Sequence, residues 1–149
     1  MTVQRQLEQA ERLCAQRGVR FTPTRRHVFT LMAEHKGAVS AYELLDRLKE
    51  LEPSAKPPTV YRALDFLLSQ GFVHKVESLN AFLFCDHFAE HHPMQLLICD
   101  RCGLVIELHD EAINQAFRQQ AELHGFAITS QSIEAHGRCR SCRAETAAS

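Results

Sequence analysis

Two Cys-x-x-Cys pairs, Cys99-Asp-Arg-Cys102 and Cys139-Arg-Ser-Cys142, frame the back half of this chain. Four thiolates on two such knuckles can close a tetrahedron around zinc, and a closed site of this kind shapes a domain without leaving a position for chemistry. The 36 residues between Cys102 and Cys139 exceed the roughly 15–20 of a plain zinc ribbon. The intervening segment must therefore fold into elements of its own and bring the knuckles together across a sheet. A thioredoxin-like redox pair would need a βαβ context, which the surrounding pattern lacks.

The charge distribution splits the chain in the same way. Residues 1–80 carry 12 basic against 9 acidic residues, and residues 81–149 carry 5 against 9. Five of the six cysteines and six of the nine histidines lie in the acidic part. A mildly basic part beside an acidic, ligand-rich part implies two domains with different partners. No apolar run reaches the roughly 18 residues of a membrane span. The N-terminus lacks the apolar stretch of a secretory signal. A cytoplasmic protein with no membrane partner is expected, and there paired cysteines serve as metal or redox groups rather than disulfides.

Local signals outline the first domain. Leu7, Ala10, Leu13 and Cys14 recur at helical spacing over 3–17, and Gly18 ends that helix. Thr22-Pro23 opens a second helix, to about His35, and Ser40-Ala-Tyr-Glu43 a third. Pro57-Pro58-Thr59 opens a fourth, whose inward stripe is Val60, Ala63, Leu64 and Leu67, leaving Tyr61, Arg62 and Asp65 outside it. Alternating segments at 72–77 and 81–85 then predict a hairpin. Helices followed by a hairpin make the winged form of helix-turn-helix, with the last helix as reader of DNA. Further on, strands are expected at 96–99, 104–108 and 126–134, a helix from Asp110 to about His124, and a frayed Ala/Ser tail.

Four further donors stand outside the knuckles: His74, Cys85, His92 and Glu107. One S, two N and one O donor suit tetrahedral zinc. Singly, each reads more readily as a core cysteine or a solvated or hydrogen-bonded polar residue. One enzymatic pattern competes. His109-Asp-Glu111 followed by Cys139-x-x-Cys142 is similar to the H-x-E…P-C-x-x-C pattern of zinc deaminases. However, Arg138 stands at the proline position, the second pair lies too near the chain end for a following helix, and the first pair would have no role. No enzyme is expected.

Phe21-Thr22-Pro23-x-Arg25, Thr59-Val-Tyr-Arg62-Ala-Leu-Asp65 and Cys99-Asp-Arg-Cys102-Gly103 together resemble the ferric uptake regulator family of metal-responsive bacterial repressors. The stretches 55–68, 70–78 and 133–137 resemble its zinc-sensing branch. The resemblance covers about residues 10–143. It implies an α+β chain: a winged helix-turn-helix DNA-binding domain at 1–85, a hinge at 86–92, and a small α/β dimerisation domain with a four-cysteine zinc site at 93–149. It implies a homodimer that binds operator DNA when zinc-loaded and represses zinc-uptake genes, with two zinc ions per subunit. Cys99, Cys102, Cys139 and Cys142 would hold a structural ion; His74, Cys85, His92 and Glu107 would hold a regulatory one. Tyr42 and Arg62 would contact bases, with Thr59 and Tyr61 on the same reading surface. Iron and peroxide regulators of the family have a further metal site, and at its register this chain carries Pro93, Gln95 and Asn114, leaving His124 alone. An iron- or peroxide-responsive member, and a zinc-stabilised interaction module without DNA binding, are the alternatives. His87, His91, His109 and His136 match no sensing position and read as surface or supporting groups.

Overall fold

Each N-terminal helix starts where a side chain can take up an orphan amide. In the computed structural model, which describes residues 2–89 and 92–148 (the last three by backbone alone), Thr2 caps α1 (Val3–Arg17) by accepting from the Arg5 amide. Thr22 and Ser40 do the same for α2 (Pro23–Glu34) and α3 (Ala41–Leu51). Helix α4 (Pro57–Ser69) starts on its two prolines, and the Thr59 hydroxyl oxygen accepts from the Lys56 amide at 3.1 Å. Two compact units result, Met1–His91 and His92–Ser149. Glu90 and His91 of the expected hinge lie outside the described residues.

In the first unit, β1 (Val73–Val76) and β2 (Ala81–Phe84) pair antiparallel, and Val39 bridges to Phe82 on the free side of β2. Asn80 closes the hairpin at φ 48°, a left-handed position that asparagine tolerates better than most residues. The core is built round Phe29, whose ring meets Phe72, Phe84 and Phe88 edge-on at centroid distances of 5.6, 5.2 and 5.8 Å. Phe88, sequence-adjacent to a run of polar residues, is buried in that core, so the chain is held to the first unit beyond the hairpin. A polar clip fixes the approach to α4. Glu52, which ends α3, accepts from Thr24 Oγ1 at 2.8 Å and lies 2.8 Å from His27 Nδ1, both on α2. Burial pushes the Glu52 carboxyl up, but the bonds from His27 and Thr24 outweigh it and hold it below the usual range.

The second unit is a three-stranded sheet in the order β4-β3-β5. Strand β3 (Met94–Cys99) pairs antiparallel with β4 (Val105–Glu107) and parallel with β5 (Ser132–Gly137). Helix α5 (Glu111–Leu123) makes the crossover that a parallel pair requires. The strand expected at 126–134 lies further along, at Ser132–Gly137, because pairing with β3 rather than local alternation sets its start. The tail expected to fray forms α6 (Arg140–Ala148) instead. Its first turn is set by the second knuckle, where the Arg143 amide bonds to the Cys139 carbonyl at 2.9 Å. No helix among the described residues is long and apolar enough to cross a membrane.

Candidate metal centres and nucleic-acid face

Cys99 ends β3 and Cys102 lies in the β3–β4 turn, while Cys139 lies between β5 and α6 and Cys142 on the first turn of α6. Since β3 and β5 are parallel neighbours with Cys99 opposite Gly137, both knuckles leave the sheet at the same end. The four sulfurs lie within 4.8 Å of one another, and Cys102 Sγ is 3.7 Å from Cys139 Sγ. Zn–S bonds of about 2.3 Å in a tetrahedron place sulfurs roughly 3.8 Å apart, whereas a disulfide needs about 2.05 Å. The cluster therefore has the spacing of a metal cage, and all six cysteines are free of disulfides. Backbone N–H groups of Cys102 and Cys139 pull the Cys99 thiol down to about 6. Burial, and then the neighbouring sulfurs, push Cys142 up to about 12. Thiols so close resist joint ionisation, and a dication removes that resistance.

The other four donors fall into two pairs, one in each unit. In the first, the hairpin register sets His74 opposite Leu83, and the Cys85 amide bonds to the Phe72 carbonyl. Alternation then places His74 and Cys85 on one face as diagonal neighbours, and their donor atoms lie within 4.8 Å. Cys85 is fully buried. In the second, His92 enters β3 and Glu107 ends β4. His92 Nε2 is 3.1 Å from Glu107 Oε1, with both side chains largely buried.

At the register of the further metal site, the donors are amides bonded to one another. Gln95 Nε2 donates to Asn114 Oδ1 at 2.6 Å and to the Asp110 carbonyl at 3.1 Å, and Gln131 Nε2 donates to the same Asn114 oxygen at 3.2 Å. Gln95 and Asn114 are buried. These bonds tie α5 to the sheet with neutral groups. The sequence marks Gln95 and Asn114 only as missing ligands; Gln131 joins them through a contact that local spacing does not reveal.

His109, expected at the surface, is exposed but not isolated. Its ring stands edge-on to His92 with centroids 5.2 Å apart, and its Nε2 is 3.9 Å from Glu107 Oε1. His136 sits between Asp100 and Glu134 at 3.3 and 3.4 Å. Cys139 and Cys142 are engaged with the first knuckle, while His109 faces Glu107. The grouping of His109 and Glu111 with Cys139 and Cys142 that a deaminase needs is therefore not formed. A helix does follow the second pair, contrary to expectation. The geometry of the donors, rather than a missing helix, sets the enzymatic pattern aside.

On the first unit, Val60, Ala63, Leu64 and Leu67 are buried and Tyr61 and Arg62 are exposed, so α4 presents one polar face outward. Tyr42, on the first turn of α3, is 74% exposed. Thr59 is half-buried at the start of α4, its oxygen engaged in the cap of that helix.

A winged helix-turn-helix joined to a small cysteine-caged α/β unit defines a class of metal-responsive transcription regulators, which are not enzymes. The chain belongs to the ferric uptake regulator family, whose model matches residues 16–136. It is 54% identical to the zinc uptake regulation protein of Escherichia coli (strain K12) over 142 residues, 95% of this chain and 83% of that one. Among solved structures it is similar to a zinc uptake regulator complexed with zinc and DNA, with a TM-score of 0.91, 53% identity and 99% of each chain covered. It is also similar to holo XcZur, with a TM-score of 0.82, 45% identity, and 93% of this chain and 96% of that one covered.

Proposed function

We propose that the chain is a zinc-responsive transcriptional repressor of the cytoplasm that binds operator DNA as a homodimer when zinc-loaded and controls zinc-uptake genes. The observation that carries this reading is the division of the regulatory donors: His74 and Cys85 on the hairpin of one unit, His92 and Glu107 on the sheet of the other. Neither pair alone completes a tetrahedron. In this reading one ion takes all four donors and so joins the DNA-reading unit to the sheet unit. The Cys85 thiol favours zinc over harder or more oxygen-loving ions.

In this reading Cys99, Cys102, Cys139 and Cys142 hold a second ion, giving two zinc ions per subunit, and that ion scaffolds rather than senses. In this reading the hinge is the segment 86–92, within which Phe88 packs in the first core. Two reading helices in a symmetric dimer must match half-sites about one helical turn, roughly 34 Å, apart. Without the regulatory ion the hinge samples other arrangements; with it, the competent one is selected.

An exposed apolar strip on the sheet supports dimerisation. Leu97 is 41% exposed and Ile106 is 44% exposed. The two sit opposite each other, and Ala135 lies on Leu97's other side. Such a strip is the kind of surface that a self-complementary partner covers. Ile106→Asp is expected to yield a folded monomer at micromolar concentration. Sedimentation that still shows a dimer would move the interface elsewhere.

Base contact falls to Tyr42 and Arg62, with Thr59 and Tyr61 beside them. A guanidinium can bind guanine through two hydrogen bonds, worth about 1–3 kcal/mol of discrimination. Arg62→Ala is therefore expected to weaken specific binding about 5- to 150-fold while nonspecific binding changes little. A uniform loss would make Arg62 a phosphate contact. The reading as a whole is tested by selection from a random-sequence DNA library with zinc, iron(II) or a chelator. Enrichment of a two-fold symmetric sequence with zinc alone is expected. Enrichment with iron alone, or equally with chelator, would overturn it.

A further inference from the structure

Among the described residues, His109 stands at the edge of the second unit's donor pair without a role given by the sequence or the family resemblance. Its position follows from strand geometry. The Leu108 amide bonds to the Gln95 carbonyl at 2.8 Å, which carries the ladder one residue beyond β4. Glu107 and His109, two residues apart, then project to the same side. His92 comes from the segment entering β3 and meets both.

Two of the group's three donor separations suit a metal. Zinc bonds of about 2.0–2.1 Å to nitrogen and oxygen place tetrahedral donors roughly 3.3 Å apart. The His92–Glu107 separation of 3.1 Å and the Glu107–His109 separation of 3.9 Å bracket that value. Two imidazoles and a carboxylate with a fourth position open to water is also a coordination set that zinc accepts readily. Exposure is graded across the set: the side chains of Glu107 and His92 are 14% and 17% exposed and that of His109 is 40%. His109 thus forms the solvent side of the group, where an ion would arrive.

We propose that His92, Glu107 and His109 form a zinc-capture site within the second unit, which takes the ion from solvent before His74 and Cys85 complete the regulatory tetrahedron. The inference rests on the zinc-sensing reading above and adds an order of events to it. His92 and Glu107 keep the ion throughout. On completion Cys85 would give its proton to water and add its sulfur, His74 would add its nitrogen, and His109 would be released. Coordination is exchanged without any change of oxidation state. All three donors of the capture set belong to one folded unit.

The test isolates the capture set by removing the completing pair. The full chain carrying His74→Ala and Cys85→Ser, with the zinc of its four-cysteine cage retained as the check on folding, is titrated with zinc against a chromophoric chelator. It is expected to bind one further zinc, more weakly than the unsubstituted chain. Adding His109→Phe, which keeps a ring beside His92 but has no nitrogen, is expected to lower that affinity at least about tenfold. Adding His109→Asp, which restores a donor, is expected to recover most of the loss. Binding that ignores His109→Phe, or no further zinc in the double variant, would overturn the capture site. A separate arm reads the sensing model itself: if Cys85→Ser alone leaves the operator response to zinc intact, the regulatory site fails, whatever the titrations show.

Discussion

Cys99→Ser is expected to unfold the second unit and dissolve the dimer. Among the described residues of that unit, only five apolar residues are buried: Met94, Leu96, Ile98, Cys99 and Cys142. Two of those are the cage's own thiols. A segment of this size rarely reaches stability through its apolar core alone and leans on a staple. Zinc in a cage of this type contributes on the order of 10 kcal/mol to the folded state, more than the roughly 5–9 kcal/mol of three buried apolar side chains. Serine replaces a thiolate with a hydroxyl that does not ionise at neutral pH, so the metal loses an anionic ligand. The expected observations are loss of one zinc per subunit, rapid proteolysis after residue 92, and a monomer in sedimentation, with the helices of the first unit retained in circular dichroism. A stable dimer that keeps its full zinc content would remove the cage from its structural role.

Cys85→Ser is expected to do the opposite: leave the fold and abolish the response. Cys85 is fully buried at the end of β2, and its amide remains bonded to the Phe72 carbonyl whatever the side chain is. Serine is nearly the same size, so packing is barely disturbed. What changes is the softest donor of the proposed regulatory set. Operator affinity in the presence of zinc is expected to fall about 100-fold or more, since the ion then biases the competent arrangement by only a fraction of its former differential affinity. Zinc content should drop from two per subunit to one under moderate chelation, while the dimer persists. A Cys85→Ser protein that still binds operator only with zinc would displace the sensing site from these four residues.

The two variants separate scaffold from sensor, and the sequence anticipates that division unevenly. Helices α2, α3 and α4 are legible because each announces its own start: Thr22 before Pro23, Ser40 before α3, and the two prolines that open α4. Those are local effects between residues three or four apart. The four-cysteine cage is legible because two knuckles of fixed spacing have few other uses. His74, Cys85, His92 and Glu107 are a weaker signal, since each is ordinary alone and only the family pattern groups them. What stays hidden depends on contacts between distant segments. Phe88 sits beside polar residues, yet its ring reaches Phe29. The start of β5 is decided by its parallel pairing with β3, and α6 forms where the Ala/Ser composition suggests fraying. His109 is visible as a histidine, but its nearness to Glu107 and His92 requires the sheet.

The amide cluster of Gln95, Asn114 and Gln131 bears on how such a protein keeps its signal clean. A cell offers iron, manganese and copper along with zinc, and a regulator that fastened α5 with histidine and carboxylate ligands would have that fastening depend on whichever ion was abundant. Carboxamides bonded to each other carry no charge, do not titrate in the physiological range and are poor ligands for these ions. The attachment of α5 is thereby made deaf to metal supply and to acidity. Fewer places where the molecule can listen means that a change in zinc is not confused with a change in something else.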